Sequence, residues 1–139
     1  MKKIIVVSLI LVTVVAVLAA CQGQTPGASV PDEYAGITNP LDATTENIQA
    51  GRTIYENRCA GCHGENALGQ GEAASSMEPT PSDLIYAVGN QNDDYIFWRI
   101  ATGTEDLEID SSMPAFASVL SENEIWQVIT FLEDLNRTE

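Results

Sequence analysis

Cys59, Cys62 and His63 carry the chemistry of this chain. They stand in the run Cys59-Ala60-Gly61-Cys62-His63, two thiols three positions apart followed at once by an imidazole. Thiols at that spacing can each add to a vinyl group on one edge of a porphyrin, and the histidine that follows then meets the iron from the same side of the ring. C-x-x-C-H is the attachment pattern of c-type haem. A structural zinc ion would need a fourth Cys or His ligand. His63 is the only histidine, and the one further cysteine, Cys21, sits at the end of an apolar leader. A thioredoxin-like dithiol would need a βαβ setting, whereas the flanks here read as helical. The residues therefore predict one covalently bound haem c, joined to Cys59 and Cys62, with His63 as an axial iron ligand.

The other axial position narrows by elimination. With a single histidine, two imidazoles cannot come from this chain, and the soft ligands left beyond the leader are Met77 and Met113. Met113 follows a polar, acidic stretch from Glu105 to Ser112 and is stiffened by Pro114. Met77 lies in an Ala/Ser-rich stretch, where a packing or surface methionine is the plainer reading.

The elements that must position these residues begin after an export leader. Lys2 and Lys3 precede an uncharged apolar run from Ile4 to Ala20, which ends Leu18-Ala19-Ala20-Cys21. A basic start, an apolar middle and small residues before a cleavage point define an export signal over residues 1–20. The cysteine directly after Leu-Ala-Ala resembles a bacterial lipobox, which implies a diacylglyceryl group on Cys21. An uncleaved anchor helix and a plain soluble form are the alternatives. From Gln22 to about Asp42 the chain is rich in Gly, Pro, Ser, Thr, Gln and Asn, so residues 21–43 are expected to be a flexible tether with a reach of about 25 Å. Residues 44–139 then form one small domain. Loss of the leader removes both lysines and leaves four arginines against twenty carboxylates, moving the formal charge from −14 to −16. Such a charge excludes nucleic acid as a natural partner and favours a basic docking face on a partner protein.

Within the domain the periodicity is helical. Thr44 or Thr45 caps a first helix in which Ile48, Gly51, Ile54, Tyr55 and Cys59 share a face. A Gly-rich loop, 64–71, follows the histidine, and Pro79 and Pro81 exclude regular structure after it. Asp93 to Thr102 reads as a short helix stopped by Gly103. Ser121-Glu122-Asn123-Glu124 is a capping box ahead of Ile125, Val128, Ile129, Leu132 and Leu135 at helical spacing. No useful stretch alternates with period two. The fold class expected is all-α.

Taken together, these residues resemble the bacterial class I monohaem c-type cytochromes, and more narrowly the cytochrome c domain of cbb3-type oxidase subunit III. The likeness covers roughly Glu46 to Leu135. It rests on Gly51-x-x-Ile54-Tyr55 before the Cys59-x-x-Cys62-His63-Gly64 run, on Pro79-Thr80-Pro81-Ser82-Asp83-Leu84, on Ile100-Ala101-Thr102-Gly103-Thr104, on Met113-Pro114-Ala115-Phe116, and on Leu120-Ser121 leading into the last helix. The resemblance implies that first and last helices cross closely, with Gly51 and Tyr55 meeting Phe131. It also implies that Met113 is the second axial ligand and that a carbonyl of the proline loop, at Pro79 or Pro81, accepts from the imidazole of His63. Methionine opposite histidine favours ferrous iron and closes the coordination sphere. The function expected is single-electron transfer between redox partners in a respiratory or photosynthetic chain, from a lipid-anchored position outside the cytoplasmic membrane, and not enzymatic catalysis. A five-coordinate haem sensor or peroxidase-like protein is the alternative. Trp98 and Arg99 either reach the haem propionates or serve as a core aromatic and a surface ion pair, and Trp126 is either core or docking surface.

Overall fold

Thr44 decides where regular structure begins. Its hydroxyl accepts the backbone N–H of Asn47 at 3.2 Å, which caps helix α1, Thr45–Arg58. Glu46 in the first turn and Arg58 in the last suit the helix dipole. The computed structural model describes residues 29–104 and 113–138; the leader, Cys21 and the acidic loop before Met113 lie outside them. After α1 come α2 (Ala60–His63), a 3-10 turn (Ala74–Ser76), α3 (Leu84–Asn90), α4 (Asp93–Thr102) and α5 (Glu122–Thr138). Among the described residues there is no strand, and the fold is all-α. No described helix is long and apolar enough to cross a membrane.

Helix α5 is the axis on which α1, α3 and α4 all pack. The capping box starts it: the Ser121 hydroxyl accepts the Glu124 N–H at 3.3 Å, while the Glu124 carboxylate accepts the Ser121 N–H at 2.8 Å. Ile125, Val128, Ile129 and Leu132 recur at three and four along it and are all buried. Where α1 crosses α5, a side chain at Gly51 would run into the Gln127 carbonyl and stand 3.0 Å from Phe131 Cβ. The close approach of two backbones therefore justifies a residue that costs about 1 kcal/mol in a helix interior. One turn on, the Tyr55 and Phe131 rings meet with centroids 5.3 Å apart. The crossing expected from the resemblance is present.

Three expectations change. The first is an addition: Leu84–Asn90, where the sequence pattern predicts no element, is a helix too short to show a period, and its signal is Asp83, whose carboxylate accepts the Tyr86 N–H at 2.8 Å as an N-cap. The second concerns the tether, which does not remain free as far as residue 43. Tyr34, Ile37 and Leu41 pack on the core, and the Tyr34 ring lies 6.1 Å from that of Phe97. The Gly36 N–H donates to Asp94 at 2.9 Å, the Asn39 N–H to Asp93 at 2.8 Å, and the Asn39 amide to the Thr130 hydroxyl at 3.0 Å. The apolar residues at 34, 37 and 41, spaced three and four apart in a polar stretch, are the signal that composition obscures. The third concerns Arg99, which is not at the surface: it is buried and lies 3.5 Å from the centre of the Trp98 ring. Trp98 and Trp126 are both core.

Candidate haem site

The attachment run is a single tight helical turn. The Cys59 N–H ends α1 by donating to the Tyr55 carbonyl at 2.8 Å, and the Cys59 carbonyl then accepts from Cys62 at 3.1 Å and from His63 at 2.9 Å. Residues three and four apart on a helix share a face, so both sulfurs and the imidazole turn to one side. The carbonyls left open at the end of this turn are taken by the loop that follows: Gly69 N–H donates to His63, Gly71 to Cys62 and Ala73 to Gly61, at 2.8 to 3.0 Å. Gly71 must be glycine for this, because a Cβ there would stand 2.6 Å from the Cys62 carbonyl carbon. The loop composition noted in the sequence is thus a close backbone wrap around the attachment turn.

One cavity of about 330 Å³ faces this turn, within the range of small-molecule and cofactor sites. Cys59, Cys62, His63, Met77 and Met113 all line it, together with Tyr55, Ile96, Ile100, Val128 and Leu132 from α1, α4 and α5. No aspartate or glutamate lines it among the described residues, although the chain carries twenty. Its permanent charges among the described residues are Arg58 and Arg99.

The donor atoms are in states that suit a haem. The His63 imidazole donates from Nδ1 to the Ser82 carbonyl at 3.0 Å, since a carbonyl can only accept. This assigns the proton to Nδ1 and leaves the Nε2 lone pair free to ligate a metal. Burial lowers the His63 pKa, opposed in part by the Ser82 hydrogen bond, so the ring is neutral. The accepting residue is Ser82, not Pro79 or Pro81 as expected; the prolines instead bend the chain so that the next carbonyl meets the ring. The Cys59 thiol is pushed up to about 11, first by burial and then by Cys62, against a smaller lowering by Arg58. A dithiol exchanger requires a lowered thiol, so this residue is set against that chemistry. Beneath it the Tyr55 hydroxyl, kept protonated by burial, donates to the Gly64 carbonyl at 2.6 Å.

Met113 enters the cavity from a segment stapled to the end of α4. Helix C-termini leave carbonyls without intrahelical partners. Here Ile100 accepts the Phe116 N–H and Ala101 the Ala117 N–H, each at 3.1 Å. Gly103, at φ +68, turns the chain so closely past Met113 and Pro114 that a Cβ would be 2.6 Å from the Pro114 carbonyl carbon. The Thr104 N–H donates to the Met113 carbonyl at 3.1 Å. Met77, expected on the surface or in ordinary packing, reaches the same cavity from the end of the 3-10 turn.

Helices wrapped around an apolar cavity, with C-x-x-C-H on one turn at its edge, define a class I c-type cytochrome domain that binds haem c. The chain belongs to the family of cytochrome c oxidase, cbb3-type, subunit III, whose family model matches residues 46–132. No curated protein matches it. Among solved structures it is similar to a chain of the reducing HAO-like protein complex of Kuenenia stuttgartiensis, with 28% identity and a TM-score of 0.58 over 83% of this chain. The match takes in 52% of that chain, so this protein spans about half the length of the neighbour.

Proposed function

We propose that this protein is a membrane-tethered, single-haem electron carrier with iron closed by His63 and Met113, placed on the outer side of the cytoplasmic membrane or in the periplasm. The observation that carries the reading is the convergence of both thiols, one neutral imidazole and the Met113 segment on one apolar cavity that no carboxylate lines among the described residues. When bound, haem supplies a one-electron ferric/ferrous couple. Cys59 and Cys62 would hold it through thioethers to its vinyl groups, each S–H adding across a C=C bond with no leaving group. The Nδ1–H bond to Ser82 fixes the His63 tautomer and raises the basicity of Nε2. The Met113 thioether would serve as the second ligand, which favours ferrous iron and leaves no open position for an external ligand. Arg58 and Arg99 bring positive charge to a cavity whose ligand carries acidic propionates. Closed coordination suits electron transfer rather than catalysis, because no position is left for substrate on the iron.

The tether reading rests on Cys21 after Leu18-Ala19-Ala20, with cleavage before the cysteine and lipid on its sulfur. The partner reading rests on charge: with four arginines against twenty carboxylates beyond the leader, a basic face on the electron donor or acceptor is the complementary surface. The neighbour in a protein complex supports a protein partner.

Coordination is tested by spectroscopy on three proteins. Wild type should show the weak red charge-transfer band of sulfur-ligated ferric haem and should resist CO when reduced. Met113→Ala should lose the band, bind CO rapidly and fall in potential, while Met77→Ala should keep all three properties. Loss of the band in Met77→Ala alone would transfer the ligand role to Met77. Rapid CO binding by wild type would replace the carrier with the five-coordinate sensor or peroxidase-like reading.

A further inference from the structure

Residues 31–42 lie outside the stretch matched by the family model, which begins at residue 46, yet they are fastened to the domain by backbone and side chain alike. Where they are fastened follows from helix geometry. On α5 the strap meets Thr130, while the cavity is lined by Val128 and Leu132, two positions to either side. At 3.6 residues per turn, two positions are a rotation of about 200°, so strap and cavity occupy opposite sides of α5. On α4 the strap meets Asp93, Asp94 and Phe97, and the cavity takes Tyr95, Ile96, Arg99 and Ile100, again on different faces. At the strap's outer end the Pro31 carbonyl accepts from Tyr34 and Ala35, closing a turn three residues from the ring that packs on Phe97.

We propose that residues 31–42 are a docked strap that brings the N-terminal lead onto the face of the domain opposite the haem cavity, so that a chain held at its N-terminus turns the cavity away from the point of attachment. The strap also sets the reach. From Cys21 the lead to residue 43 could span at most about 75 Å if none of it were docked, and at most about 35 Å with the chain bound from residue 31. A carrier so held pivots close to its anchor with its redox face outward. The reach and its orientation rest on the tether reading above; the docking and the exit face do not.

The test uses the haem-loaded full chain. With Cys59 and Cys62 in thioethers and Cys21 acylated, a nitroxide on Ser29→Cys is the one label, and its distance distribution to low-spin ferric iron reports where the lead leaves. A single narrow distribution is expected, and Tyr34→Ala combined with Asn39→Ala should broaden it without changing the haem spectrum. Hydrogen exchange provides the second reading: the Gly36 and Asn39 amides should exchange roughly five- to tenfold faster in that variant, with α5 amides unchanged. A wild-type distribution as broad as the variant's, or equal exchange in the two, would overturn the strap. The same measurements on Cys21→Ser, which lacks the lipid site, separate the outcomes: a narrow distribution there with no membrane binding in wild type would remove the tether and leave the strap standing.

Discussion

At the scale of single residues, Cys59 and Cys62 work as a pair because a helical turn aligns positions three apart. Either one replaced by alanine should leave one thioether at most and little mature holoprotein. Acid-acetone extraction measures this directly, since wild-type haem should stay with the protein and haem recovered in the solvent would refute covalent attachment. Two carboxylates give opposite pH signatures. Glu124 is held below its usual pKa, first by the Ser121 N–H and then by the Ser121 hydroxyl. Its ionised form is the one the fold favours, so its contribution is present above its unfolded pKa and disappears as pH falls through the folded one. Stability curves of wild type and Glu124→Ala should therefore converge on acidification below about pH 4. Glu133 is raised, first by burial and then by Asp93, against Arg137. The folded state binds the extra proton there, so stability falls as pH rises through that window. Glu133→Gln should stabilise the domain at neutral pH, by less than about 1 kcal/mol because the group is only part-buried, and thermal melts at pH 4 and pH 7 would measure it.

At the scale of elements, the crossing of α1 and α5 is the joint on which the cavity depends, because α1 ends in the attachment turn and α5 lines the cavity. Gly51→Ala places a methyl against the Gln127 carbonyl. Backbone on backbone cannot yield cheaply, so a loss of about 2–3 kcal/mol is expected, read as a lower urea midpoint. Gly61→Ala is the control: nothing stands within 4 Å of its Cβ, and stability should be unchanged or slightly higher. Elements with a local code are legible in the sequence itself: α4 runs from Asp93 to Thr102 as its apolar positions and Gly103 indicate, and α5 follows its capping box. Helix α3 is not, because seven residues make less than two full turns and cannot display a period.

At the scale of the whole molecule, the proposed anchor at Cys21 and the haem domain can be tested apart. Cys21→Ser should release the protein from membranes into the soluble exported fraction with its haem spectrum intact; fractionation checks it, and a native protein retaining Met1 would refute lipidation. What the sequence by itself determined lies within one helical turn or one cap. The C-x-x-C-H run falls at 59 to 63, an N-cap at 44 or 45, which the structure narrows to Thr44, and the capping box at 121–124, and each depends on neighbours a few positions away. What only the tertiary structure decided are contacts between distant stretches. His63 finds its acceptor nineteen residues on, at Ser82 rather than at a proline, because the loop's bend decides which carbonyl arrives. Met77 and Arg99 face the cavity, and Tyr34, Gly36 and Asn39 dock on helices that follow more than fifty positions later. Composition reports how flexible a stretch is when alone; whether it stays so depends on what the folded core offers it, here a pair of aspartates, a threonine and an aromatic ring.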